Sequence, residues 1–199
     1  PDGFIELHFI KALLPGYFWI FPLPNGAANV GLGMHSKVLH SKKINLKKLL
    51  IDTIEQDPVF KKRFDQSRLS GSIDGYGLPL GSKERKIYGN RYMLVGDAAS
   101  LIDPFTGEGI GNAMYAGYYA ANNAAKAIEQ NDFSENILAG YGKDMQRVLG
   151  PELKMSAKLQ RLASYPWLFN MLINKAAKSK ELRNLMTAMF AEVDVRKKL

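Results

Sequence analysis

Leu94-Val95-Gly96-Asp97-Ala98-Ala99-Ser100-Leu101-Ile102-Asp103-Pro104-Phe105-Thr106-Gly107-Glu108-Gly109-Ile110-Gly111 is the most informative run of the chain. An apolar strand through Tyr92, Met93, Leu94 and Val95 is expected to end at Gly96-Asp97, which sets a carboxylate at a strand's C-terminal edge. A loop containing Pro104 follows, and Gly107, Gly109 and Gly111 then open an Ala-rich helix over residues 109–130. The carboxylate can accept hydrogen bonds from the hydroxyls of a sugar or polyol chain. Glycines let a backbone come close to a ligand, and a helix start offers unpaired N–H groups with a partial positive charge. The combination suits a polyhydroxylated, anionic cofactor. A tight turn whose Asp only caps a helix is the plainer alternative.

Working outward towards the N-terminus, Pro15-Gly16-Tyr17-Phe18-Trp19-Ile20-Phe21-Pro22 alternates along an expected strand, so Tyr17, Trp19 and Phe21 share one face. Pro24-Asn25-Gly26 is a turn signal, and a second strand follows through Ala28-Asn29-Val30-Gly31-Leu32-Gly33. With Phe4–Ile10 these segments predict an antiparallel meander, Gly16–Leu23 and Ala27–Met34 being its later strands. Three aromatics on one strand face fit either a sheet core or a wall for an apolar ligand.

Ile44 to Phe64 carries helical spacing, with Leu46, Leu49, Leu50, Ile54 and Phe60 on the side to be buried, Asn45 as a cap and a break at Pro58. Ser70 to Leu80 reads as a strand through Ile73, Tyr76 and Leu78, and Ile87-Tyr88 and Arg91–Val95 bring the chain back to the segment that ends at Gly96-Asp97. Ala113, Ala116, Gly117, Ala120, Ala121 and Ala124 would let the Ala-rich helix pack closely on a sheet. From Ser134 onward the pattern is helical, interrupted at Pro151 and Pro166, and too apolar to be a free tail. The expected class is α+β. Residues 1–84 form one part, 85–132 a second, and 133–199 a helical C-terminal region.

Composition is that of a globular chain: 199 residues, 46% hydrophobic. The absence of cysteine excludes disulfides and thiolate chemistry in this sequence. Imidazole could come only from His8, His35 and His40, and the last two are too far apart for an i,i+4 pair, so no metal site is expected. No stretch approaches the ~18 apolar residues of a membrane span, and no signal peptide is visible. Residues 151–199 carry ten Lys and Arg against four Asp and Glu within a net charge of +8. That excess suits an anionic surface or, more plainly, a solvated helix face. No nucleic-acid-binding pattern accompanies it.

Gly96-Asp97-Ala98-Ala99, Pro104 and Gly107-Glu108-Gly109-Ile110 together resemble the second flavin-binding motif of FAD-dependent oxidoreductases of the para-hydroxybenzoate hydroxylase fold. Gly-Glu-Gly-Ile is similar to the form found in the geranylgeranyl reductase family. Tyr-x-Trp-x-Phe-Pro, eight residues, then Gly-x-Gly resembles that family's substrate-cavity signature. Together with the segment that connects them, the two motifs cover about residues 3–130. The resemblance implies the following roles. FAD is held by Gly96, Asp97, Pro104, Gly107, Gly109, Ile110 and Gly111, with Asp97 on the ribityl chain and Pro104 and the N–H groups of Gly109 and Ile110 at the ring. Tyr17, Trp19, Phe21 and Pro22 line the substrate cavity. The activity implied is reduction of isoprenoid carbon–carbon double bonds, with NAD(P)H or a ferredoxin-type donor as external reductant. The setting is cytoplasmic, with room for peripheral membrane contact. No catalytic residue is assigned; the proton could come from the Tyr17 hydroxyl or from water, and Glu108 could simply fix the loop.

The same resemblance demands a Gly-x-Gly-x-x-Gly after a first strand to hold the FAD pyrophosphate, and this sequence has none. The expectation is therefore a C-terminal portion of a longer flavoprotein, inactive by itself. A flavin monooxygenase or halogenase on the same scaffold is a rival, although the halogenase lysine has no counterpart in the aromatic motif. A non-catalytic lipid-binding module is a rival of another class.

Overall fold

The computed structural model describes residues 3–190. The last nine residues of the expected helical C-terminal region, with their share of the basic charge, lie outside the described residues, as do Pro1 and Asp2. Two compact units result, one up to Gly77 and one from Leu78.

In the first unit, β1 (Glu6–His8), β2 (Tyr17–Pro22) and β3 (Ala28–Gly33) form an antiparallel sheet in that order, the meander expected from the sequence. Register pairs Leu7 and Gly31 with Trp19, and Tyr17 with Gly33. The β2–β3 turn is made by Pro24–Gly26, where Asn25 and Gly26 take positive φ of 63° and 75°, the conformation Asn and Gly reach at least cost. A short helix that the sequence reading passed over, α1 (Ser36–Ser41), follows; the ring of His35 accepts a hydrogen bond from the Lys37 N–H at its start.

The next two helices begin where the sequence puts them. Asn45 accepts from the Lys48 N–H at 3.0 Å and opens α2 (Leu46–Gln56). Asp57 accepts from the Val59 N–H at 2.9 Å, and Pro58, needing no N–H partner, starts α3 (Pro58–Phe64). Leu50 and Phe60 are buried with Leu13, Phe18 and Ile20, while Leu49, Ile54, Val30 and Leu32 pack around them. Arg63 pairs with both carboxylate oxygens of Glu6, and His8 lies 3.1 Å from one of them, so α3 is tied by charge to β1. The Arg63 guanidinium, and after it His8, holds the Glu6 carboxyl below its ordinary pKa.

The expected strand over Ser70–Leu80 does not form. The segment contains Gly71, Gly75 and Gly77, leaves Tyr76 90% exposed and Leu78 54% exposed, and gains only a parallel bridge from Leu80 to Ile102. Without a neighbouring strand, an extended segment has no ladder to join.

The second unit opens with a two-stranded pair, β4 (Tyr88–Gly89) and β5 (Tyr92–Met93). The strand expected through Val95 is thus shorter: Leu94 adds one backbone bond to Ile87 at 2.7 Å, and Gly96–Ala99 curls into a 3-10 turn. Asp97 therefore belongs to a turn and not to a strand end. α4 (Ile110–Glu129) packs on α5 (Glu135–Val148) and on that turn, where a sheet was expected. A small residue makes the α4–α5 contact possible, since a Cβ on Gly140 would meet the Asn123 side chain at 2.4 Å; a second lets α5 approach β4, where a Cβ on Gly142 would meet the Tyr88 ring at 2.3 Å. α6 (Gly150–Ala163), α7 (Pro166–Lys178) and α8 (Lys180–Phe190) complete the unit, with Pro151 and Pro166 in first turns as their helix-starting geometry favours. The core joins Ile87, Leu101, Ala116, Tyr141, Met145, Leu149 and Leu153. Of the expected apolar residues in this region, Phe169 is buried, whereas Trp167 stands 69% and Met155 55% exposed. Among the described residues no helix is long and apolar enough to cross a membrane.

Candidate functional site

Strand alternation sorts β2 into two faces. Phe18 and Ile20 are buried in the first unit's core, whereas Tyr17, Trp19 and Phe21 lie half-buried on the opposite face. Their rings form a ladder: Tyr17 meets Trp19 edge-on at 6.2 Å between centroids, and Trp19 stacks on Phe21 at 6.0 Å. Phe9, absent from the sequence assignment, extends the ladder by an edge contact with Tyr17 at 5.9 Å. Phe9 lies inside the strand expected over Phe4–Ile10 but beyond the paired part of β1, and spacing within one strand does not say which ring it meets on the next.

The first glycine of the Gly-x-Gly half of the motif has a steric purpose, whereas a Cβ on Gly33 would stand 3.8 Å from the Trp19 indole. Gly31 faces Trp19 across the sheet, and a Cβ there would stand 2.3 Å from the indole. The missing side chain makes room for the ring to lie on the neighbouring strand. Asn29 then fixes the ring's orientation by accepting from the indole N–H at 2.9 Å. Pro22 ends the strand opposite Ala28, half-buried.

In the second unit, an open hollow of about 610 Å³ is lined by Asp97, Ile102, Gly107, Glu108, Gly109, Ile110, Ala113 and Met114. Five of these were reached from sequence as motif residues: Asp97, Gly107, Glu108, Gly109 and Ile110. Gly96 lies just behind the hollow, buried and at φ 54°, where a Cβ would stand 3.1 Å from that of Ala113. Gly107 also takes positive φ, 76°, so the loop can double back before the helix. Gly111 sits in the first turn of α4. Pro104 is buried and does not line the hollow.

The loop is held by side chains. One oxygen of the buried Asp103 accepts from the Phe105 N–H at 2.9 Å, the Thr106 N–H at 2.8 Å and the Thr106 hydroxyl at 3.0 Å. The Asp103 N–H donates to the Glu108 carbonyl at 2.7 Å, and the Gly107 N–H to the Asp103 carbonyl at 3.0 Å. Asn112 donates from α4 to the Leu101 carbonyl at 2.7 Å, and Gln160 from α6 to the Pro104 carbonyl at 2.6 Å. The Asp-Pro-x-Thr pattern is a recognisable turn signature that sequence reading could have used. Gln160, 56 residues from its acceptor, had no local signal.

Glu108 has a definite task. Its carboxylate accepts from the Ile110 N–H at 2.6 Å and the Gly111 N–H at 3.4 Å, so it caps α4 from within the loop. Of the two N–H groups expected at a ligand ring, that of Ile110 is thus engaged by this chain's own carboxylate. Behind the site, the Tyr141 hydroxyl donates to the Leu94 carbonyl at 2.6 Å, tying α5 to the segment that delivers Asp97. Burial pushes that phenol's pKa up to about 12, so it remains a donor at any physiological pH.

Residues 2–69 match the geranylgeranyl reductase catalytic domain. The digeranylgeranylglycerophospholipid reductase of Thermoplasma volcanium is 40% identical over 136 residues, 68% of this chain and 33% of the relative. A second enzyme of that name, from Methanopyrus kandleri, is 29% identical over 198 residues, 98% of this chain and 48% of the relative. Among solved structures, a geranylgeranyl bacteriochlorophyll reductase-like protein from Thermoplasma acidophilum aligns with a TM-score of 0.73 and 28% identity, over 98% of this chain and 50% of that one. The chain is a homologue of the geranylgeranyl reductases. It spans about a third to a half of the length of these relatives.

Proposed function

We propose that this chain is the part of an FAD-dependent reductase that presents an isoprenoid chain to the flavin and holds the ribityl and ring end of the cofactor. The observation that carries the reading is the aromatic ladder over the glycine stripe: Tyr17, Trp19 and Phe21 half-buried on the face turned away from the core, with Gly31 emptied for the indole. A core-only role would call for burial at these positions, which Phe18 and Ile20 have and the ladder lacks.

The second unit's hollow fits a flavin by the chemistry of its walls. Asp97, an exposed carboxylate, offers acceptors for ribityl hydroxyls at one side, while Ile102, Ala113 and Met114 offer apolar surface for a flat ring system. Gly107 and Gly109 keep the backbone bare where the ring would approach. When bound and reduced, the flavin would supply hydride to one carbon of an alkene. The chain's own residues then do three things. Asp97 binds the polyol chain, the loop from Asp103 to Gly109 sets the position of the ring edge, and the aromatic ladder holds a flexible prenyl chain extended and excludes water from it. Glu108 serves the loop by capping α4, and water or the Tyr17 hydroxyl supplies the proton at the second carbon.

In this reading residues 1–84 belong to the substrate domain, 85–132 to the cofactor domain and 133–199 to a helical C-terminal region. The external reductant is NAD(P)H or a ferredoxin-type donor, and the protein makes a peripheral contact with the lipid surface that carries such substrates. The test is to express the full-length gene with a geranylgeranyl lipid substrate. Saturated prenyl chains, together with flavin absorbance near ~450 nm in the purified protein, support the reading. Flavin with hydroxylated or halogenated product would instead favour the rival chemistry, and colourless protein that still binds lipid would favour a binding module.

A further inference from the structure

The C-terminal helices carry no motif, yet one of their side chains reaches the loop at the candidate cofactor site. Gln160 lies near the end of α6 and donates from Nε2 to the carbonyl of Pro104 at 2.6 Å. Pro104 is buried, so its carbonyl has no ready solvent replacement if the donor is lost. The segment from Leu101 to Gly109 has no regular secondary structure beyond the Leu80–Ile102 bridge, and its shape is only as fixed as its hydrogen bonds. Asp103 closes the loop on itself, Asn112 ties its entry to α4, and Gln160 ties its middle to a different helix. α6 is a firm mount for that purpose: Leu153, Ser156, Ala157 and Ala163 are buried, and Leu153 belongs to the second unit's core.

We propose that Gln160 is a positioning residue for the flavin, fixing the Pro104–Gly109 backbone against which the ring edge rests. The inference builds on the flavin reading of the loop given above. Its consequence is a division of labour in which the C-terminal helices, without touching the cofactor, determine where the loop stands. A displacement of the order of 1 Å at a reacting centre is costly to hydride transfer. By linkage, a bound flavin that orders the loop must in turn strengthen the loop's bond to α6.

Two variants separate positioning from packing. Gln160→Met keeps length and bulk but removes the donor. Gln160→Glu keeps the shape and restores a donor only when protonated, and a carboxyl facing a carbonyl oxygen is held above its ordinary pKa. Hydrogen exchange on the full-length protein should show the amides of Phe105, Thr106 and Gly107 losing protection about tenfold in Gln160→Met, with α6 and α5 amides unchanged. In Gln160→Glu the loop's protection should return as pH falls through the raised pKa. In the full-length flavoprotein, Gln160→Met should weaken flavin binding about tenfold at a near-native melting temperature. Unchanged loop protection overturns the proposal, and so does loosening of loop and α6 together with no recovery in Gln160→Glu. If the wild-type full-length protein binds no flavin while the loop still loosens as described, the brace stands and the flavin reading falls.

Discussion

Along Tyr17–Pro22 the side chains make the surface and the backbone stays in a regular strand. Along Gly96–Gly111 the backbone makes the surface, and the side chains of Asp103, Glu108, Asn112 and Gln160 hold it in shape. The first arrangement suits an apolar ligand recognised by area and shape. The second suits a polar, flat ligand that needs fixed donors and close approach. Robustness differs accordingly. A ladder of rings loses one rung at a time, whereas a loop held by a few bonds loses its shape when one of them goes.

The sharpest way to break the comparison is at the one place where the ladder depends on backbone. Gly31→Val should destabilise the first unit by about 3 kcal/mol, since the new side chain enters the space of the Trp19 ring. Chemical denaturation measures it, and a cost under about 1 kcal/mol would mean that the ring swings away freely.

Asp97→Ala tests the loop's counterpart. Removing an exposed turn carboxylate should change stability by less than about 0.5 kcal/mol. In the full-length protein it should weaken flavin binding about ten- to hundredfold, the loss of a charge-assisted hydrogen bond worth roughly 1.5–3 kcal/mol. Equal flavin content and affinity in titration would return Asp97 to a plain turn role.

Trp19→Ala comes next. A fully buried aromatic truncated to Ala costs about 3–5 kcal/mol; Trp19 is half-buried and should cost nearer ~1.5 kcal/mol. Turnover in the full-length protein should then fall at least about tenfold while flavin stays bound. A melt that collapses as far as a core truncation would remove the contrast between the two faces of β2.

The smallest effect lies in the charge tie between α3 and β1. Glu6 has its folded pKa depressed from 4.5, so the stability it contributes is fully present above that value and is lost as pH falls through the folded pKa. Glu6→Gln should cost about 1 kcal/mol near neutral pH and flatten that part of the acid limb. Stability measured from pH 7 to 3 in both proteins checks the sign, and an unchanged acid limb would mean that Arg63 and His8 do not depend on Glu6.

Periodicity made the sheet legible in advance: the strand boundaries around Tyr17, Trp19 and Gly31 follow from alternation and the Pro24-Asn25-Gly26 turn. Caps made α2 and α3 legible, because Asn45 and Asp57 do locally what their chemistry favours. Ser70–Leu80 misled because alternation describes a strand only if a partner exists, and Leu80 alone found one. The partner of α4 was equally hidden, since small residues announce close packing without saying whether a sheet or α5 will come close. At the site, the lining glycines and Asp97 were visible as a motif. Phe9 and Gln160 were not, because each acts through a contact that no local spacing encodes.

Trp19 and Gly31 also bear on how such a sequence can change over generations. The indole fills the volume that any side chain at position 31 would need, so the two sites are epistatic and their order of substitution matters. A lineage that first exchanges Trp19 for a smaller residue opens position 31 to alanine or larger. One that alters Gly31 first meets a collision before any benefit. The route to a different binding surface on this sheet therefore passes through position 19.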